Sequence, residues 1–262
     1  MPFTLSHAAA VIPFRRTRLV MSALVMGCFA PDFPNLLFLS PDKSFGHTIL
    51  GMFLLDLPLA LAVLWLFHTF IKRPMLMFLP DGFRRRLRTS VTSFSFWPSN
   101  RLSLLVLSIL VGTATHLVWD AFTHNTSWLY QNWAFLRRSV DLQVIGEMQM
   151  YKLLEYGSSA FGLVVVGVWI WHWYRTAKPS ACAVAPPFDG APRRAFVATL
   201  PALAILGGVL RAYHHAHGIH WRIRPLVHFT TYILVSAITL FLSGLIACGF
   251  IQKILHRRHV PC

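Results

Sequence analysis

The sequence predicts an all-α, polytopic membrane protein of about six membrane helices, the first of which also reads as a helical hairpin. Three observations predict it. Of 262 residues, 55% are hydrophobic and only 13% charged, where a soluble chain carries about a quarter charged residues. Apolar windows of roughly twenty residues recur, the length a helix needs to cross the hydrocarbon of a bilayer. The 24 Lys and Arg, set against 9 Asp and Glu, fall between those windows and form no stripe along one helix face. That placement suits loops held at an anionic cytoplasmic leaflet. No nucleic-acid recognition motif accompanies the +15 charge, so a nucleic-acid partner is not expected. Membrane lipids are the expected partners, and a membrane crossed several times is the expected location.

The N-terminal stretch reads as a short apolar helix with Thr4 or Ser6 as its cap. His7 lies near its start, and Arg15, Arg16 and Arg18 lie at its end. The apolar run Leu19 to Ala30 follows. Val25-Met26-Gly27-Cys28 faintly resembles a lipoprotein cleavage box, but Met26 fits it poorly and an uncleaved anchor is expected. Cys28, Cys182, Cys248 and Cys262 have no paired spacing and give no disulfide framework.

Ala30-Pro31-Asp32-Phe33-Pro34-Asn35 ends this run. Prolines interrupt a helix and free its carbonyls, and Asp32 places a charge at the break. The same Asp also reads as a cap for a following helix. Gly46-His47 then opens the longest apolar run, Ile49 to Ile71, which contains Asp56 and Pro58. A lone Asp inside a spanning helix is functional or partnered by default.

Lys72 to Arg101 is arginine-rich with the single acid Asp81. It belongs on the cytoplasmic side, and Met75 to Arg88 can form a helix lying on the membrane surface. The run Leu102 to Phe122 ends in Gly112-Thr113-Ala114-Thr115-His116-Leu117-Val118-Trp119-Asp120-Ala121-Phe122-Thr123-His124. His116 and Asp120 fall one turn apart on one helix face. A carboxylate at membrane depth needs a partner, a cation or water, and His with carboxylate suits a zinc-type divalent ion. A helix-end His–Asp hydrogen bond is the plainer reading. His124 joins the pair only if the helix ends and the chain turns inward.

The segment Thr123 to Gly157 reads as a long aromatic loop, and Ser158 to Tyr174 as the next span. Residues 1–175 thus form a membrane core carrying the candidate metal site. Residues 176–194 are a Pro/Ala-rich linker, and 195–262 a C-terminal two-helix membrane segment. The loop inside that segment carries His214, His215, His217 and His220; with no carboxylate nearby, these suit lipid headgroups.

His7, Pro31-Asp32, His47 and His116-x-x-x-Asp120 follow one another in an order that resembles the YdjM-like family of membrane-bound metal-dependent hydrolases. The strings Pro2 to Val11 and Ala30 to Phe33 are more closely similar to a related, uncharacterised bacterial integral-membrane family. More remotely, the order is similar to that of zinc-dependent phospholipases C and nucleases. The resemblance implies that His7, Asp32, His47, His116 and Asp120, with His124 as a further candidate, bind a divalent cation, zinc first. It also implies that Asp120 or Asp32 serves as ligand or general base. A bound ion would generate a nucleophile from water at neutral pH, for a lipid or lipid-linked substrate. Two departures bear on the number of ions: Phe33-Pro34-Asn35 supplies no second acid after Asp32, and no later His-x-x-x-Glu is present. If Leu19 to Ala30 crossed the membrane, His7 would lie on the side opposite the other ligands. The resemblance favours a hairpin over residues 4–30, which returns His7 to them. Two other functions are open to the same residues. One is a transporter or channel using Asp32, Asp56 and Asp120 as ion sites; the other is a scaffold in which the His–Asp contacts are structural.

Overall fold

The computed structural model describes residues 4–39, 45–88, 91, 94–96, 99–143, 146–216 and 223–257. Among these, five helices are long and apolar enough to cross a membrane: Ile49–Phe78, Arg101–Asn132, Met150–Thr176, Gly190–His214 and Phe229–Leu255. The protein is therefore all-α and polytopic. The chain divides into two compact units. The first comprises Met1–Phe33, Ser44–Ala62 and Phe96–Thr176; the second comprises Pro34–Lys43, Val63–Ser95 and Ala177–Cys262.

In the first unit the N-terminal residues form a hairpin of short helical arms. One arm runs through a 3-10 turn Thr4–His7, helix α1 (Ala8–Val11) and a second 3-10 turn Ile12–Arg16. Thr17 ends it in an extended conformation, with its hydroxyl donating to the Phe14 carbonyl at 2.7 Å. The return arm is helix α2, Met21–Phe29. At 1.5 Å per residue it is about 14 Å long, roughly half the hydrocarbon thickness. The first apolar run is thus an arm of a hairpin and not a span. Val11, Leu24 and Cys28 are fully buried between the arms, with Phe14, Leu19, Val25 and Phe29 packed around them.

Helix α3 begins at Ile49 and continues to Phe78. Its first turn is capped by Thr48, whose hydroxyl accepts from the Gly51 amide at 2.9 Å. Helix α4 spans Ser99–Thr123 and lies along α2. Gly27 and Gly112 make this contact possible. A Cβ on Gly27 would run into the backbone of Ile109, and one on Gly112 into the backbone of Leu24. Small residues let helices approach this closely in membranes. Polar bonds then lock the register: Thr113 donates to the Gly27 carbonyl at 3.0 Å, and Ser108 accepts from the Val20 amide at 2.9 Å.

Residues 123–157 hold more structure than a loop. Two short helices, Trp128–Asn132 and Ala134–Arg137, precede antiparallel strands β1 (Ser139–Leu142) and β2 (Gly146–Gln149). Side chains along β1 alternate between exposed and half-buried, as the period of two requires. Helix α5 then runs from Met150 to Thr176, starting eight residues before the expected Ser158. Tyr151 and Glu155, polar by sequence, are buried on that early turn.

In the second unit, helices α6 (Gly190–Ala216) and α7 (Ile223–Arg257) pack on each other. Arg193 donates to the Met77 and Leu79 carbonyls at 2.8 and 3.0 Å. The expected surface helix over Met75 to Arg88 is interrupted, because Leu79 is extended and Pro80 follows it. A residue before proline is driven out of the helical region. Only Asp81–Arg86 continues as a helix, with Asp81 and Arg84 paired. His214 is exposed, while His217, His220 and Cys262 lie outside the described residues.

Candidate metal centre

Four short stretches of the first unit deliver the candidate ligands. The turn Thr4–His7 places His7 at its last position, and Ala30–Asp32 ends in Asp32. The turn Phe45–His47 carries His47 just ahead of the Thr48 cap, and α4 presents His116 and Asp120 one turn apart. His7, Asp32, His116 and Asp120 are buried, and His47 is half-buried.

These side chains converge. Ligand atoms of His7, His116 and Asp120 all lie within 4.8 Å of one another, and so do those of Asp32, His47 and His116. Asp120 is the hub. Its Oδ1 lies 3.5 Å from His7 Nε2, and its Oδ2 lies 3.3 Å from His47 Nε2 and 3.2 Å from His116 Nε2. Asp32 Oδ1 is 3.6 Å from His47 Nε2. Helix α4 stops at Thr123, and His124 Nδ1 sits 3.6 Å from Asp120 Oδ2 at the cluster's edge. All six residues singled out by the resemblance therefore meet at one place.

Proximity here is not ordinary hydrogen bonding. Both ring nitrogens of His7, Nε2 of His116 and Oδ1 of Asp120 are buried without a hydrogen-bond partner among the described residues. Buried polar atoms are otherwise almost always satisfied. Two nitrogens and a carboxylate oxygen gathered this way fit the donor set of a zinc-type ion. The tautomer of His116 fits as well. Its Nδ1 lies 2.7 Å from the Cys28 carbonyl; a carbonyl only accepts, so Nδ1 carries a proton, which leaves Nε2 as the atom the neutral ring would offer an ion.

Neighbours fix the remaining geometry. Thr4 donates to Asp32 Oδ2 at 2.6 Å. His7 lies against the ring of Trp119, whose indole nitrogen donates to Ser158 at 3.1 Å. Sequence reasoning missed these supports. Thr4 reads only as a cap, and nothing in the sequence marks the Cys28 carbonyl.

Charge follows from the same contacts. Burial holds the His7 imidazole down to about 4, with His116 adding to the effect against Asp120 and Asp32. Burial also opposes charge on His47, but bonds to Asp120 and Asp32 outweigh it and raise that imidazole to about 9. For Asp32, burial is outweighed by His47, His116 and Thr4, and the carboxyl stays below its ordinary range.

The fold and this cluster together define a multi-pass helical membrane protein with a buried His/Asp site. The model of the DUF4184 family, a domain of unknown function, matches residues 1–251, so the chain belongs to that family. No curated protein matches the chain, and neither does any solved structure.

Proposed function

We propose that the protein is a metal-dependent hydrolase of the bacterial cytoplasmic membrane, acting on a lipid or lipid-linked substrate. One observation carries this reading: imidazoles and carboxylates from four separate stretches meet around buried donor atoms that have no hydrogen-bond partner among the described residues. The spacing that resembles the YdjM-like family supports it.

His7, His116 and Asp120 would hold the ion, with His47 and Asp32 as its further ligands. These residues would place a divalent ion, zinc first by donor type, where it would supply a nucleophile from water near neutral pH and polarise an ester or phosphoryl oxygen. Asp32 carries its charge at neutral pH and is placed to take up a proton. Asp120 faces one oxygen to His7 and the other to His47 and His116, and so orients all three rings. Access is from the side of His47 and His124, whose side chains are 24% and 29% exposed while those of His7 and His116 are 1%. The basic connections would concentrate anionic lipid at the surface.

The test is elemental analysis of the detergent-purified chain, followed by hydrolysis assays on phospholipid and ester-lipid panels. Wild type is expected to hold zinc at about one ion per chain and to cleave at least one lipid class, with both properties lost in Asp120→Asn. Wild type without stoichiometric metal would sink the reading.

A further inference from the structure

Asp56 takes no part in either ligand group, yet it is fully buried in the first unit. Neither carboxylate oxygen has a hydrogen-bond partner among the described residues. It ends a π-helical turn, Met52–Asp56, near the start of α3. Such turns occur often at functional sites because the extra residue re-aims a side chain. Here the carboxylate reaches Gly46. A Cβ on Gly46 would lie 2.8 Å from Asp56 Oδ1 and 2.9 Å from the Pro31 carbonyl oxygen. The missing side chain lets both oxygens approach the Gly46 backbone closely.

The charged groups acting on Asp56 are Asp32, His47 and His116, which belong to the neighbouring turns and to α4. His47 and His116 attract it, and Asp32, more weakly, repels it. A buried carboxyl with no donor of its own takes a proton or a positive charge. Two of the three atoms nearest this position at Gly46 are oxygens, and none is an imidazole nitrogen. That chemistry suits a hard cation, which takes one or two carboxylates and keeps several waters.

We propose that Asp56, with the Pro31 carbonyl and Asp32, forms a second, oxygen-lined subsite for a hard divalent cation of the Mg2+ or Mn2+ type, beside the imidazole-rich centre. This rests on the first centre being a metal site.

The experiment uses the full chain in detergent, stripped of metal and reloaded with zinc. Mn2+ is then titrated and followed by electron paramagnetic resonance. Wild type is expected to take one Mn2+ beyond its zinc. Asp56→Asn, which keeps the shape of the side chain, should retain the zinc and bind Mn2+ at least roughly 100-fold more weakly. Equal Mn2+ affinity in the two proteins, or no Mn2+ beyond zinc in wild type, overturns the proposal. If Asp56→Asn does not fold, the bound Mn2+ of wild type decides instead. A signal without nitrogen hyperfine coupling supports an oxygen-lined site, and histidine coupling overturns it. Wild type that takes no zinc removes the hydrolase reading, and the Mn2+ comparison run without zinc still judges the Asp56 subsite.

Discussion

His7 and His116 lie ring upon ring, 4.1 Å between centroids and 17° from parallel. Two imidazoles this close in a buried site resist carrying charge together, so a proton on one opposes a proton on the other.

Stability of the metal-free protein should therefore peak near pH 6.5. His7 titrates at about 4 when folded against 6.5 ordinarily, so the unfolded chain binds the proton better and stability falls as pH drops from 6.5 toward 4. His47 titrates at about 9, so its contribution is complete below 6.5 and is lost as pH rises through 9. Each limb amounts to about 1.4 kcal/mol per pH unit at most. Thermal unfolding across pH 4 to 9 checks this. The acid limb should shrink in His7→Leu and the alkaline limb in His47→Gln.

Metal uptake should release protons, because a nitrogen that holds a proton cannot hold an ion. His47, charged up to about pH 9, is one source between pH 6.5 and 9. Zinc affinity should climb with pH over that window, and His47→Gln should flatten the slope by about one proton. Competition against a chromophoric chelator at several pH values measures it; parallel slopes in the two proteins would contradict the assignment.

Thr4→Val keeps the shape of the turn and removes the 2.6 Å bond to Asp32. Partners that orient a ligand typically affect metal affinity by about 10- to 100-fold, and a loss in that range is expected with little change in melting temperature. An unchanged affinity would mean that Thr4 does not position Asp32.

Gly112→Ala should be more harmful than its single methyl suggests. The added carbon meets the backbone of α2 at Leu24 and not a movable side chain. Overpacking of this kind costs about 1–3 kcal/mol. It also pushes α4 away from Cys28, whose carbonyl fixes the His116 ring. Melting temperature and zinc content should fall together. Gly157→Ala, where a Cβ would meet nothing within 4 Å, should change neither.

Much of the fold was legible because lipid imposes simple rules: a run of about twenty apolar residues must become a helix. The five later apolar runs and the Arg-rich connections between them followed from that alone, and His116 with Asp120 followed from the helical period. Local breaks were harder to see. Pro80 stopped the surface helix, and α5 started early because Tyr151 and Glu155 found buried places. By itself the sequence determined a membrane protein of stacked helices with a His–Asp pair on one of them. Only tertiary structure decided that His7 lies on His116 and that Asp56 turns toward Gly46. The physical reason is that periodicity reports a residue's place on its own helix, whereas convergence depends on how closely two backbones can approach. At Gly27 and Gly112 that was set by atoms the side chains lack.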